Sequence, residues 1–307
     1  MYPDEYAGRV ASRSRELGGR RYTERTVPID SVVHYFERFD VLEVDYTFYR
    51  PLIEEDGSPS TNYHTLQRYA DHAPAHARFV LKAPQAYSAR KLRRSGKYLD
   101  NDEYLDATGY TERFLAPAAE LLGDRLDGVL FEQEYGRERD SPPPEVFAAE
   151  LDAFFAALPA GAPPTHLEIR SPHLHQPPFY ELLDRRGLGH ALSHWTWLGP
   201  LRRQIAIAGG FHPAGADRDV LVRLLTPLNV RYADAYAMAY PFDRTVPELA
   251  DTAGARAMVA DTVRLALRAA AENIRITVLA NNRVWGNAPD LVETLEGALR
   301  EAGGLGH

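Results

Sequence analysis

The chain has 307 residues, 45% of them hydrophobic and 25% charged, which are the proportions of a folded globular protein and exclude a disordered one. Its 35 Lys and Arg stand against 43 Asp and Glu, a formal charge of -8, so no whole-protein field draws it to nucleic acid or to an anionic membrane. It has no cysteine, which excludes disulfides, thiolate chemistry and cysteine-held metals and leaves any metal to His, Asp and Glu.

Residues 1–27 are polar and rich in arginine (Arg9, Arg13, Arg15, Arg20, Arg21 and Arg25), with Gly18 and Gly19 in the middle, and read as a loop with room for one short helix. Residues 29–39 then read as a helix, capped by Asp30 or Ser31, with Val32, Val33, Tyr35, Phe36 and Phe39 as its apolar stripe. The clearest strand comes next, at 41–49, VLEVDYTFY. Its alternation puts Leu42, Val44, Tyr46 and Phe48 on one face and the carboxylates of Glu43 and Asp45 together on the other.

Short apolar strands and longer helical segments then alternate, the signature of βα units and a parallel sheet. The further strands are expected at 79–83 (FVLKA), 128–134 (GVLFEQE), 166–171 (HLEIRS), 190–195 (HALSHW), 230–235 (VRYADA) and 275–282 (RITVLANN). Helices are expected at 62–72, 108–122, 144–158, 178–186, 217–225, 254–272 and 290–301, with long loops at 84–106 and 197–215. The fold class is α/β: a TIM-type barrel of seven visible strands, one short of the closed eight. Residues 1–28 form an atypical N-terminal segment and 29–307 a single barrel domain. The eighth strand is either absent or lost before Met1 when a start site was assigned, and the second explanation is preferred. The resulting gap would be covered by another strand, a loop or a partner subunit, so oligomerisation through an open edge is expected.

Active sites of such barrels are built at the carboxyl ends of the strands. Polar residues recur there: Glu43 and Asp45, Lys82, Glu132 with Gln133 and Glu134, Glu168 and Arg170, His194, Arg231 and Asp234, Asn281 and Asn282. Such a set lines either a hydrophilic mouth or a buried charge network that fixes the barrel, since buried charges must be paired whether or not they react. In LEIR, Glu168 and Arg170 share a face, which suits ligand positioning. Glu132 and Glu134 also share one, and their repulsion would make one of them a general acid unless water screens it. Lys82 is a Schiff-base candidate. His194 with Asp45, Glu132 or Glu168 could complete a metal site, but no HExxH or paired-histidine spacing and no glycine-rich phosphate loop is present, and neither metal nor cofactor is expected. The run RKLRRSGK at 90–97 would lie on the rim, as a phosphate or nucleic-acid contact or as a solvated loop offset by Asp100, Asp102 and Glu103.

The stretches EVDYTFYRP, FVLKAP, LEIR, VRY and ANNRVWGNAP, in this order and spacing, resemble the YecE-like family, domain of unknown function 72 (DUF72), over about residues 31–295. The resemblance implies a TIM-type barrel without an assigned reaction. It also implies that Glu43, Phe48, Tyr49, Lys82, Glu168, Arg170, Arg231, Asn281, Asn282 and Gly286 hold the family's characteristic positions. The chain departs from the pattern with Asp45 for an Asn, LFEQEY for LFQLPP, and Arg231-Tyr232-Ala233-Asp234 without the family's His-Gly. The family's opening strand is missing, although YPDEYAG at 2–8 resembles the segment that normally comes just after that strand.

The expected function is a hydrolase or lyase acting on a small polar, hydroxylated or phosphorylated molecule. Glu132, Glu168 and Lys82 are its catalytic candidates, and Glu43, Asp45, Tyr49, Arg170, His194, Arg231, Asn281 and Asn282 its substrate-binding ones. The alternatives are a non-catalytic barrel that binds nucleic acid or protein, and a divalent-metal hydrolase built on His194. No apolar run reaches the roughly 18 residues of a membrane span and no signal-peptide core is visible, so no membrane partner and a cytoplasmic location are expected.

Overall fold

In the computed structural model the described residues are 6, 8–94 and 96–303. Of the YPDEYAG stretch, positions 2–5 and 7 lie outside them, as does Ser95 of the basic run. The arginine-rich opening is a hairpin and not the expected loop. Strands β1 (Ala11–Leu17) and β2 (Arg20–Thr26) pair antiparallel from Ala11 opposite Thr26 to Leu17 opposite Arg20. Gly18 and Gly19, at φ +59° and +73°, supply the two left-handed residues that a tight hairpin turn with the right twist requires. The strands escape a hydrophobicity reading because they bury almost nothing. Tyr22 is their one buried residue, and Arg13 and Arg15 both reach Glu24, at 2.7 and 2.9 Å.

Helix α1 (Val32–Phe36) comes after a 3-10 turn at Ile29–Ser31 and leads into β3 (Val41–Val44). This strand has half the expected length. Asp45 takes a helical conformation (φ -84°, ψ -24°) and Tyr46–Phe48 form a 3-10 turn, so the alternation meant to set Glu43 and Asp45 on one face stops at Val44. Thr47 holds the turn: it is fully buried, and its hydroxyl lies 2.7 Å from the Lys82 carbonyl and 3.0 Å from that of Val44. Helix α2 (Thr61–His72), capped by the Ser60 hydroxyl, then leads to β4 (Arg78–Lys82). The expected loop at 84–106 carries α3 (Gln85–Ser88) and a second hairpin, β5 (Lys91–Arg94) and β6 (Lys97–Asp100). Helices α4 (Ala107–Tyr110) and α5 (Ala116–Leu122) are joined by a π turn over Thr111–Leu115.

The chain continues through β7 (Leu126–Gln133), α6 (Pro144–Ala156), β8 (Thr165–Ile169), α7 (Pro177–Arg186), β9 (Gly189–His194), α8 (Leu201–Ala208) and β10 (Asp219–Leu224). It closes with α9 (Tyr232–Ala239), α10 (Pro247–Ala250), α11 (Ala253–Ala271), β11 (Arg275–Ala280) and α12 (Ala288–Glu301). Strands β3, β4, β7, β8, β9, β10 and β11 are neighbours in that order in one sheet, with β3–β4, β8–β9, β9–β10 and β10–β11 parallel. The fold is a TIM-type barrel with seven strands among the described residues. Two of the expected elements exchange character. Residues 217–225 hold β10 and not a helix, and 230–235 begin helix α9 and not a strand. Every residue of β10 is buried, so DVLVRL shows no polar alternation and its period cannot be read.

By its contacts the chain divides into two compact units, one running up to Val129 and including Ala157–Pro163, the other comprising Leu130–Ala156 and the chain from Pro164 onward. The first packs Phe36 edge-on to Phe79 at 5.5 Å, and Tyr87, Tyr110 and Phe114 in a row, all five rings nearly or fully buried. In the second, Leu192, Val220, Val222 and Leu224 of the strands meet Met258, Leu265, Leu291 and Leu295 of α11 and α12. Each such side chain contributes about 1.5–3 kcal/mol of burial. Among the described residues no helix is long and apolar enough to cross a membrane.

One histidine of the second unit is buried with both ring nitrogens unmatched. His190 of β9 is packed among the rings of His175, Phe179 and Tyr180 at 5.7, 5.9 and 5.6 Å, and neither of its ring nitrogens has a hydrogen-bond partner. Burial, reinforced by the nearby His175 and His212, holds its pKa well below the ordinary value, and burial also lowers those of His175 and His194. Stability from a histidine kept neutral is intact above the unfolded pKa of about 6.5 and lost below it, by up to about 1.4 kcal/mol per pH unit per ring, because the unfolded chain takes up protons that the fold refuses. The urea midpoint is expected to fall from pH 7 to pH 5, and His190→Phe to flatten that fall. An unchanged slope in the variant would refute the assignment.

Candidate functional site

Four strands of the second unit bring their polar residues together. Glu132 comes from β7, Glu168 from β8 with Arg170 just beyond it, Ser193 from β9 and Arg223 from β10, where Arg223 is directly opposite Ser193. Glu168 and Arg170, two residues apart, lie on one side of their strand, as expected. Glu168 accepts from the Ser193 hydroxyl at 2.6 Å and from Arg170 Nε at 3.3 Å through Oε1, and from the Arg223 guanidinium through Oε2. Arg170 also reaches Glu132 Oε2 at 2.6 Å, with Arg223 3.7 Å from the same oxygen. Two carboxylates and two guanidiniums balance, which is the condition for keeping four charges inside a barrel.

The burial of the network is uneven. The Glu132, Glu168 and Arg223 side chains are at most 3% exposed, whereas Arg170 keeps 18% of its side chain in solvent and lies over the half-buried Trp195, 5.0 Å from the ring centroid. Burial opposes the Arg170 charge, but Glu132 and Glu168 outweigh it and push its pKa above the ordinary arginine value. Behind the network, Gln204 of α8 clamps Ser193 by accepting from its N–H at 3.1 Å and donating to its carbonyl at 2.8 Å. Sequence reasoning missed Arg223, Ser193 and Gln204. Arg223 was hidden by the helical reading of β10, and Gln204 lies in a helix inside an expected loop.

The other expected residues stand in different surroundings. Glu134 is exposed while Glu132 is buried, so the two do not share an environment. His194 is buried, its Nδ1 lies 2.9 Å from the Thr226 carbonyl, and its pKa is lowered mainly by burial. No group of three His, Asp or Glu able to hold a metal occurs among the described residues. Asn281 and Asn282 shape the loop after β11, their side-chain oxygens accepting from the Arg283 and Ala288 N–H groups at 3.1 and 2.8 Å. Arg231, expected at a strand end, is an exposed residue preceding α9 and joins no such cluster, because the strand it was assigned to is that helix.

In the first unit Lys82 is buried, its ammonium 3.3 Å from Asp45 Oδ1 and 3.8 Å from the centroid of the Phe48 ring. Glu43, Asp45 and Tyr49 line a groove of about 510 Å³ together with Arg13 and Arg15 of the hairpin. On the second hairpin, Lys91 of the basic run is met by Asp100 at 3.4 Å.

Fold and site together define a (β/α) barrel with a charge-balanced network carried on its strands. The chain belongs to the family described as protein of unknown function DUF72, whose model matches residues 12–305. Among solved structures it is similar to a DUF72 family protein from Enterococcus faecalis V583, at 16% identity and TM-score 0.53, covering 91% of this chain and 89% of that one. It is also similar to one from Thermotoga maritima MSB8, at 16% identity and TM-score 0.50, covering 90% and 89%. At that identity the likeness shows the fold. No curated protein matches the chain.

Two substitutions test this arrangement. Arg223→Met strands Glu168 and is expected to cost about 3–5 kcal/mol in chemical unfolding, because breaking a buried pair leaves an uncompensated charge. Gly286 has φ +105°, and a Cβ there would collide with the Arg244 carbonyl and come within 2.7 Å of Val246 Cγ2. Gly286→Ala is therefore expected to cost at least about 1–3 kcal/mol, with a lowered melting midpoint as the readout.

Proposed function

We propose that the protein is an enzyme, a hydrolase or lyase, that binds a small polar, hydroxylated or phosphorylated molecule at Arg170. The observation that carries this reading is that, of the four charged side chains in the buried network, Arg170 keeps the largest share in solvent, 18% against at most 3% for the others, and lies over an aromatic ring. With Nε on Glu168 and Nη2 on Glu132, its remaining N–H groups are fixed in direction and suit a phosphate, a carboxylate or a hydroxyl beside the half-buried Trp195 ring. Glu168, with its oxygens taken up by Ser193, Arg170 and Arg223, acts as a positioning residue. Glu132, which touches Arg170 at its inner end, is the acid/base candidate. Lys82 next to a carboxylate suits a standing cation better than a Schiff-base nucleophile, which calls for an apolar or cationic neighbourhood.

A thermal-stability panel of sugars, phosphorylated metabolites, divalent metals and oligonucleotides tests the proposal. A ligand present at a hundred times its Kd stabilises the fold by about 2.7 kcal/mol. The gain is expected for a hydroxylated or phosphorylated compound, to be lost in Arg170→Lys, which keeps the charge without the fork, and to persist in Glu43→Gln. A gain that survives Arg170→Lys places the site elsewhere, and a panel with no response from small polar compounds ends the proposal.

A further inference from the structure

We propose that a cleft between α11 and α12 binds a small amphiphilic monocarboxylate, with its charge on Arg256 and Trp285 and its apolar body between the two helices. The cleft lies within the second unit and no residue of the Glu168 network borders it, so the proposal is independent of the Arg170 reading. Its volume of about 470 Å³ is that of a small-molecule site. One wall is a single face of α11. Arg256, Val259, Ala260 and Val263 recur there at the three- and four-residue spacing that stacks side chains on successive turns, so a cation stands at one end and apolar residues follow over about 10 Å of helix. Ala298 of α12 and Ala250 of α10 also border the cleft, and their short side chains leave the space open.

Two donors bordering the cleft lack an acceptor of their own kind. Trp285 is 5% exposed, and its indole Nε1 has no hydrogen-bond partner among the described residues. An indole N–H can only donate, and leaving it buried and unmatched costs about 1–3 kcal/mol, which an acceptor oxygen in the cleft would relieve. The exposed Arg256 donates through Nη1 to the Asp251 carbonyl at 2.9 Å and pairs with no carboxylate among the described residues. Both donors are tied to α10, which is four residues long: the Val246 N–H at its start donates to the Trp285 carbonyl at 2.7 Å, and Asp251 at its end receives Arg256. They therefore stand at the same end of the cleft. The hydroxyls of Thr245 and Thr294 already donate to the Asp290 carboxylate and carbonyl, at 2.7 and 2.9 Å. What remains is a pair of donors, one of them charged, beside an apolar wall, and that selects an apolar acid over an amine or a sugar. Asp251 on the rim repels a second negative charge, which favours a monocarboxylate over a phosphate dianion.

The probe is octanoate, titrated into the whole protein while the indole N–H signals of its three tryptophans are followed by NMR, that of Trp285 being assigned by elimination with Trp195→Phe and Trp197→Phe. Octanoate is expected to move the Trp285 signal downfield and saturably as the indole gains an acceptor. Arg256→Gln, at an exposed position, is expected to weaken binding about tenfold, the loss of one charge-assisted hydrogen bond. Ala298→Leu fills the cleft and is expected to abolish binding while the melting midpoint shows the fold retained. Octanol, of the same length without the charge, is expected to bind at least about tenfold more weakly, and Arg170→Lys to leave octanoate binding unchanged. A Trp285 signal that does not move, equal binding of octanol, or full binding by folded Ala298→Leu or by Arg256→Gln overturns the proposal.

Discussion

The carboxylate of Glu168, wholly removed from solvent near the carboxyl end of β8, sets the terms for the polar groups around it in the second unit. A lone charge there would be prohibitive, so the neighbouring strands must deliver donors to it at fixed heights: a hydroxyl from β9, a guanidinium from β10 and a second guanidinium from just beyond its own strand. Those donors are useful only in register, and the pairing of Ser193 with Arg223 provides it. The ionic contacts therefore discriminate between strand registers more strongly than the apolar core does, since a slip of one residue would turn every one of these polar groups to the opposite face. Gln204, gripping the main chain of Ser193 on both sides, extends the same constraint into α8.

How much of this was legible in the sequence depended on burial. Where one face of an element is wet, periodicity survives, and helices such as α2, α7, α11 and α12 fall within a residue or two of expectation. Where both faces are dry, as in β10, the pattern vanishes and a strand passes for a helix, taking Arg223 with it. Where both faces are wet, as in β1 and β2, there is again no pattern, and the informative feature was the Gly18-Gly19 pair that permits the turn. The shortened β3 has a third cause. The alternation of VLEVDYTFY does not show that the strand ends at Val44; the Thr47 hydroxyl, shared between the Val44 carbonyl and one 35 residues away in β4, holds the turn there.

The candidate site divides along the same line. Glu132, Glu168 and Arg170 were identifiable because strand alternation and charge were both visible, and the structure brings them together. Their partners were not identifiable, since a hydrogen-bond acceptor does not reveal in sequence which distant donor will meet it. Arg231 differs in position: the strand expected at 230–235 does not form, and the residue stands exposed before α9. The asparagines after β11 keep their positions but spend their side-chain oxygens on the loop's own backbone.

The first hairpin carries a different consequence. With one buried side chain in its strands and Arg13 and Arg15 both on Glu24, it depends on turn geometry and exposed charge more than on packing. Mutational drift along its two strands should then be nearly free wherever charge opposes charge, while the two glycines stay fixed. Among related chains, its length and composition can diverge far faster than those of the barrel strands it precedes.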